Sequence, residues 1–225
     1  MSEKEQRDSV LQTMRQKVQE ARIVLIGIGK EWRKQQPDVR KKAYEQLAKL
    51  VENKNYFILT MNTDDEIYDA GFQADRITAP FGSDHRYQCS VPCCEELWQE
   101  ADRPADGRCP RCGAPLIANV RGADQAAVYV EQGYLPSWQA YTQWLTHTLN
   151  QKVVILELGV DFTMPALVRW PFERIGVLNL KARFFRINQQ WYQLSEELAE
   201  TGRAYSLAED SCKVLTEGVL DDCNH

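Results

Sequence analysis

The chain has 225 residues, a formal net charge of −5 and 26% charged residues: enough for one well-buried α/β domain with a small module, and short for two full domains. No basic excess favours nucleic acid, and the longest apolar runs, VVIL and IVLIGI, are too short to cross a bilayer. The N-terminal MSEKEQRDSVLQTMRQ is charged throughout and lacks a signal-peptide core, so a cytoplasmic protein without nucleic-acid or membrane partners is expected.

In chain order, Val10, Leu11, Met14 and Val18 recur at helical spacing within residues 3 to 20, an amphipathic helix that leads into a strand over 22 to 28. That strand runs into Gly27 and Gly29, as at a nucleotide-binding turn, but Lys30, Glu31, Trp32 and Arg33 follow where a third glycine is usual. Pro37 opens a second helix with Val39, Tyr44, Leu47, Leu50 and Val51 on one face, and the strand YFILT (56 to 60) comes almost at once. A strand–helix–strand unit of this length makes the two strands parallel neighbours. Residues 72 to 135 hold recurring Gly and Pro with little periodicity and read as an insertion between domain segments 1–71 and 136–225. Beyond it, Ser137 can cap a helix carrying Trp138, Tyr141, Trp144, Leu145 and Leu149, whose spacing is that of a core face. The strand VVILELG (153 to 159) follows, then a turn or short helix broken by Pro171, a strand VLNL over 177 to 180, and RFFRI as one more strand. The order predicts a doubly wound, parallel α/β sheet covered on both faces, with a small inserted module.

Ligands of such sheets sit beyond the carboxyl ends of the strands. The predicted ends carry Gly27 and Gly29, Asn62 and Asp64, Gly159 and Asp161, and Asn179. Each of these is a turn former by itself, and their coincidence suggests a crevice. In the insertion, YQCSVPCCEELW and RCPRCGAP supply two short knuckles. Cys89, Cys93, Cys109 and Cys112 form the expected set for a structural Zn2+ site, with Cys94 the alternative to Cys93. Four thiolates leave no open coordination position for water, so a catalytic metal is not expected.

A strand followed by TMNTDDEIYDAG resembles the sirtuin signature, with Thr60, Asn62, Asp64, Ala70 and Gly71 matching. FGS at 81 to 83 stands where sirtuins have H-G-S, two cysteine knuckles follow, and LELGVDFTMPALVRWPF looks like the macrodomain-linked bacterial branch. The resemblance covers most of residues 21 to 215. It implies a Rossmann-type domain that binds NAD or ADP-ribose, with a zinc ribbon beside it, and transfer of ADP-ribose to an acyl-lysine or a protein side chain. By resemblance Gly27 and Gly29 approach the phosphates, Asn62 and Asp64 meet the nicotinamide end, and Gly159 and Asn179 line the adenosine half.

The resemblance fails in two places. GIGKEWRKQQP passes almost directly into the second helix, so the family's cofactor lid is absent or reduced to Trp32 and Arg33, and Glu31 would repel phosphate where Lys30 and Arg33 would attract it. Phe81 occupies the place of the catalytic histidine, and a phenyl ring accepts no proton; His85 and Asp84 lie nearby as substitutes. Three readings follow: a degenerate deacylase or ADP-ribosyltransferase that uses Asn62 and Asp64 on a protein substrate, a nucleotide-binding module, and an inactive scaffold that meets a partner protein.

Overall fold

The computed structural model describes residues 2–122 and 127–216, apart from the side chain of Glu3. The polar DDCNH at 221 to 225 carries the composition of a frayed tail, and it lies outside the described residues, Cys223 and His225 included.

Helix α1 (Glu3–Glu20) begins with a capping box in which the Ser2 hydroxyl accepts from the Glu5 amide while the Glu5 carboxylate accepts from the Ser2 amide. Strand β1 (Ile23–Ile28), helix α2 (Pro37–Val51) and strand β2 (Asn55–Thr60) fall where hydrophobic spacing puts them, and the short β3 (Ile77–Thr78) pairs with β2. An antiparallel sheet of β4 (Gly82–Cys89), β5 (Leu97–Gln99) and β6 (Leu116–Val120) forms the inserted module. Then come α3 (Leu135–His147), β7 (Val153–Leu158), α4 (Arg169–Leu178), β8 (Arg183–Ile187), α5 (Glu196–Glu200), β9 (Ala204–Leu207) and α6 (Ser211–Thr216).

The large sheet is six-stranded and parallel throughout, in the order β3-β2-β1-β7-β8-β9. Alternate residues of its buried strands face opposite sides. Val24, Ile26 and Ile28 meet Met14 and Val18 of α1, Leu47 of α2 and Leu215 of α6, whereas Leu25 and Ile155 meet Trp144 of α3 and Phe172 of α4. The row of Trp and Tyr on α3 is therefore core.

Glu157 of β7 also faces α4 and is fully buried. Its carboxylate accepts from Arg186 Nε at 2.6 Å and Nη2 at 2.9 Å, and Arg169 Nη1 lies 3.4 Å away. Arg186 Nη2 also donates to Glu173 at 2.7 Å. A charge withdrawn from water there is matched by guanidinium groups in bidentate geometry.

Several expectations are corrected. Residues 177 and 178 end helix α4, Asn179 closes it, and the strand is Arg183–Ile187. Pro171 is the third residue of α4, where the amide needs no helical partner, and does not break it. Ser137 lies inside α3 and donates to the Tyr134 carbonyl and Thr78 hydroxyl, so it is not the cap. Within the 72–135 segment, β3 pairs with β2 at the edge of the large sheet. The elements α5, β9 and α6 extend the fold beyond what the sequence pattern predicts.

Candidate functional site

The carboxyl ends of β2, β1, β7, β8 and β9 form one rim, laced together by backbone hydrogen bonds from Met61 to Ile28, Gly29 to Leu158, Gly159 to Ile187 and Asn188 to Leu207. Of the predicted site residues, Gly29, Asn62, Asp64 and Gly159 meet on this rim. Asn179 does not: it caps the carboxyl end of α4 and donates to the Gln151 carbonyl ahead of β7, at the opposite edge of the sheet. Gly27 faces α4, where a Cβ would lie 2.6 Å from Val168 Cγ1 and 2.9 Å from Phe172 Cε2. The close approach it permits is that of a packed helix.

Gly29 and Gly159 touch backbone to backbone, since a Cβ on Gly29 would stand 2.0 Å from the Gly159 carbonyl oxygen. Gly159, at φ +66°, is in turn covered by Glu31 and Trp32 of the 3-10 turn at 30–34. Trp32 is fully buried, lies 4.6 Å from the Tyr44 ring and donates its indole N–H to Ser211 Oγ at 2.9 Å. The Glu31 carboxylate accepts from the Gln189 amide at 3.0 Å, the Ser211 amide at 3.1 Å and the Ser211 hydroxyl at 3.2 Å. Burial pushes the Glu31 carboxyl above its ordinary range, and these donors only partly offset it. Over the middle of the rim the chain's own side chains fill the space.

The β2 end differs. Asn62 Nδ2 donates to the Tyr44 hydroxyl at 3.0 Å, while its Oδ1 is buried without a hydrogen-bond partner. Asp64 Oδ1 accepts from the Glu66 amide at 3.2 Å; its Oδ2 is likewise buried and unpartnered, with Arg40 Nε 3.5 Å away. Burial raises the Asp64 carboxyl above its ordinary range and the Arg40 guanidinium opposes the shift. Arg40 itself is held by both oxygens of Glu66. Sequence reasoning missed Arg40 and Tyr44, whose only signal was an arginine one turn before a tyrosine on the buried face of α2.

Phe81 is buried in the core, with Lys30 Nζ 4.6 Å from its ring centre. His85 is exposed, and Asp84 is occupied by Thr63 Oγ1 at 2.8 Å and Arg33 Nη2 at 2.9 Å. Asp161 accepts from the Thr163 amide at 2.9 Å, the ordinary bond of a turn former.

In the module, the sulfurs of Cys89, Cys93, Cys109 and Cys112 all lie within 4.8 Å of one another, the Cys89–Cys112 pair at 3.4 Å and the Cys93–Cys109 pair at 3.6 Å. A tetrahedral ion with metal–sulfur bonds of about 2.3 Å spaces its sulfurs by about 3.8 Å, so the quartet fits. Cys93 belongs to the four-sulfur set, and Cys94 Sγ stands 3.6 Å to its side.

No family model matches the chain. A protein ADP-ribosyltransferase of Staphylococcus aureus is 28% identical over 195 residues, 80% of this chain and 61% of that protein, so the chain spans less than two thirds of its relative. A Sir2 homologue solved with NAD superposes at a TM-score of 0.60 with 16% identity, covering 94% of this chain and 92% of that one. A Sir2 enzyme solved with a myristoylated histone peptide gives 0.57 with 13% identity over 94% and 95%. Among the described residues no helix is long and apolar enough to cross a membrane. The chain is therefore sirtuin-like: it has the fold of the Sir2 enzymes, with a four-cysteine module inserted into it.

Proposed function

We propose that the chain binds an ADP-ribose-containing nucleotide, NAD or ADP-ribose, at the carboxyl rim of its large sheet, and that the four thiols hold a structural zinc in a cytoplasmic setting that keeps them reduced. One observation carries the nucleotide reading: Asn62 Oδ1 and Asp64 Oδ2 are buried without a hydrogen-bond partner after β2, Asp64 Oδ2 having only the 3.5 Å ion pair with Arg40. A buried acceptor left without a hydrogen bond costs about 1–3 kcal/mol, and two such acceptors within three residues of one strand end support a place completed by a ligand. Asn62 and Asp64 would take the ribose and carboxamide of the nicotinamide end, while Gly29 and Gly159 lie toward the phosphates.

NAD, when bound, supplies a nicotinamide–ribose bond that can break with transfer of ADP-ribose. Asp64 would then set a negative charge beside the ribose as positive charge develops there, with Arg40 holding its orientation. Phe81 cannot take a proton from a ribose hydroxyl, so ADP-ribosyl transfer to a protein side chain is favoured over deacylation. The staphylococcal relative's name points the same way. The second reading, an inactive protein-binding scaffold, rests on Glu31 and Trp32 filling the middle of the rim.

Thermal shift with ADP-ribose and NAD tests the first reading, because a ligand at a hundred times its dissociation constant stabilises the folded state by about 2.7 kcal/mol. No shift at millimolar concentration with either ligand would leave the scaffold reading in front. Nicotinamide release from wild type and Asp64→Ala separates turnover from binding: equal, slow rates would remove the enzyme. For the metal, one zinc per chain is expected, lost in Cys109→Ser together with the ordered module.

A further inference from the structure

The Glu31 carboxylate has an unusual set of partners. It is buried, it receives three hydrogen bonds from neutral donors, one from the Gln189 amide after β8 and two from Ser211 at the start of α6, and among the described residues no cation pairs with it, while Asp210 adds a like charge nearby. Glu157, by contrast, is clasped by a guanidinium, while Asp210 on the same rim accepts from the Gln35 and Gln189 side chains and the Lys213 amide. Three converging N–H and O–H groups without a counter-cation form a cradle for an oxyanion. A side-chain carboxylate is an oxyanion of the chain's own that can fill such a cradle.

We propose that Glu31 is an internal occupant of an oxyanion position: the Gln189 amide and the Ser211 amide and hydroxyl would receive a phosphate group of the nucleotide, and Glu31 holds them until the turn at 30–34 withdraws. This rests on the nucleotide reading above and adds regulation to the same rim. The turn is a single stretch of 3-10 helix whose backbone bonds to the rim, Glu31 to Gly159 at 3.2 Å and Trp32 to Gly29 at 3.4 Å, are long, so its main anchor is the buried Trp32 ring, which withdrawal must expose. Its withdrawal carries the Glu31 charge out of the rim and releases the Gln189 and Ser211 donors. The apparent affinity is then the intrinsic affinity reduced by the fraction of molecules with the rim open.

The test is calorimetric titration of wild type, Glu31→Gln and Glu31→Ala with ADP-ribose and, separately, with inorganic pyrophosphate. Glu31→Ala, which empties the position, is expected to bind ADP-ribose about tenfold tighter or more, a change of about 1.4 kcal/mol, and to bind pyrophosphate where wild type does not, while Glu31→Gln, whose amide oxygen still fills the position, stays near wild type. If wild type and Glu31→Ala bind ADP-ribose equally, Glu31 is no occupant and the nucleotide reading survives. If pyrophosphate binds only Glu31→Ala and ADP-ribose binds none, the occupant stands and the nucleotide reading falls. Silence of all three proteins toward both ligands overturns the proposal. Should the variants fail to fold, hydrogen exchange on wild type decides: with ADP-ribose bound, the Glu31 and Trp32 amides must exchange faster, and unchanged or slower exchange there refutes withdrawal.

Discussion

Two buried carboxylates of this molecule have opposite surroundings. Glu157, beneath β7, is clasped by Arg186 and approached by Arg169, whereas Glu31, at the rim above the same strand's end, has only amides and a hydroxyl. In the first region the charge is matched and the cluster belongs to the core. In the second the donors are matched and the charge is not, which is the arrangement of a binding site with its ligand supplied from within. Neutral donors hold an anion in place without fixing it there permanently, and paired guanidinium groups do both.

That contrast can be broken by measurement. Glu157→Ala strands Arg186 and Arg169 in the core and is expected to lower unfolding free energy by about 3–5 kcal/mol in urea denaturation. A loss under about 1 kcal/mol would mean the cluster is no structural clasp. Trp32→Ala removes a fully buried ring from the seal and should cost about 3–5 kcal/mol if the rim stays shut around the cavity. A much smaller loss would show that the turn at 30–34 is already detached in solution.

Glu31→Gln keeps the shape and removes the charge. Its expected effect is within about 1 kcal/mol of wild type, because an amide oxygen still accepts from Gln189 and Ser211 while the cost of burying an unpaired charge disappears. A loss as large as that at Glu157 would erase the distinction between the two regions. The smallest effect is in the pH dependence. With its carboxyl raised above the ordinary 4.5, Glu31 binds its proton more tightly in the folded state. Its contribution to stability is fully present below about pH 4.5 and is lost as pH rises through the folded value. The stability of Glu31→Gln relative to wild type should therefore improve as pH rises through that window, and a flat difference would show that Glu31 is not perturbed.

The sequence made some of this legible and hid the rest for physical reasons. Strands β1, β2 and β7 are apolar runs flanked by polar turns, and the cysteine knuckles have spacing few other structures require, so sheet and module could be anticipated. The run VLNL could not be assigned by periodicity, because four residues suit a helix end as well as a strand, and Asn179 was carried to the wrong edge of the sheet with it. Asn62 and Asp64 were placed correctly as residues of a strand end, but that their outer oxygens lack partners is a property of packing that only coordinates reveal. Glu31 was read as a charge that would repel phosphate. Its partners Gln189 and Ser211 lie 158 and 180 residues further along the chain, beyond any local pattern, so its standing in a phosphate's place could not be read.

The arginine next to Trp32 adds a mechanical point. Arg33 reaches Thr63 after β2 and Asp84 in the first strand of the cysteine-bearing module, and Thr63 closes the triangle with its own bond to Asp84. The turn that seals the rim is thus also a mooring line between the two sheets. Arg33 and Asp84 are partly exposed, so that line is worth only about 0–1 kcal/mol. Casting it off costs little, and the Asp84 amide keeps its own 2.7 Å bond to the Thr63 carbonyl, so lifting the turn from the rim leaves the two sheets moored to each other.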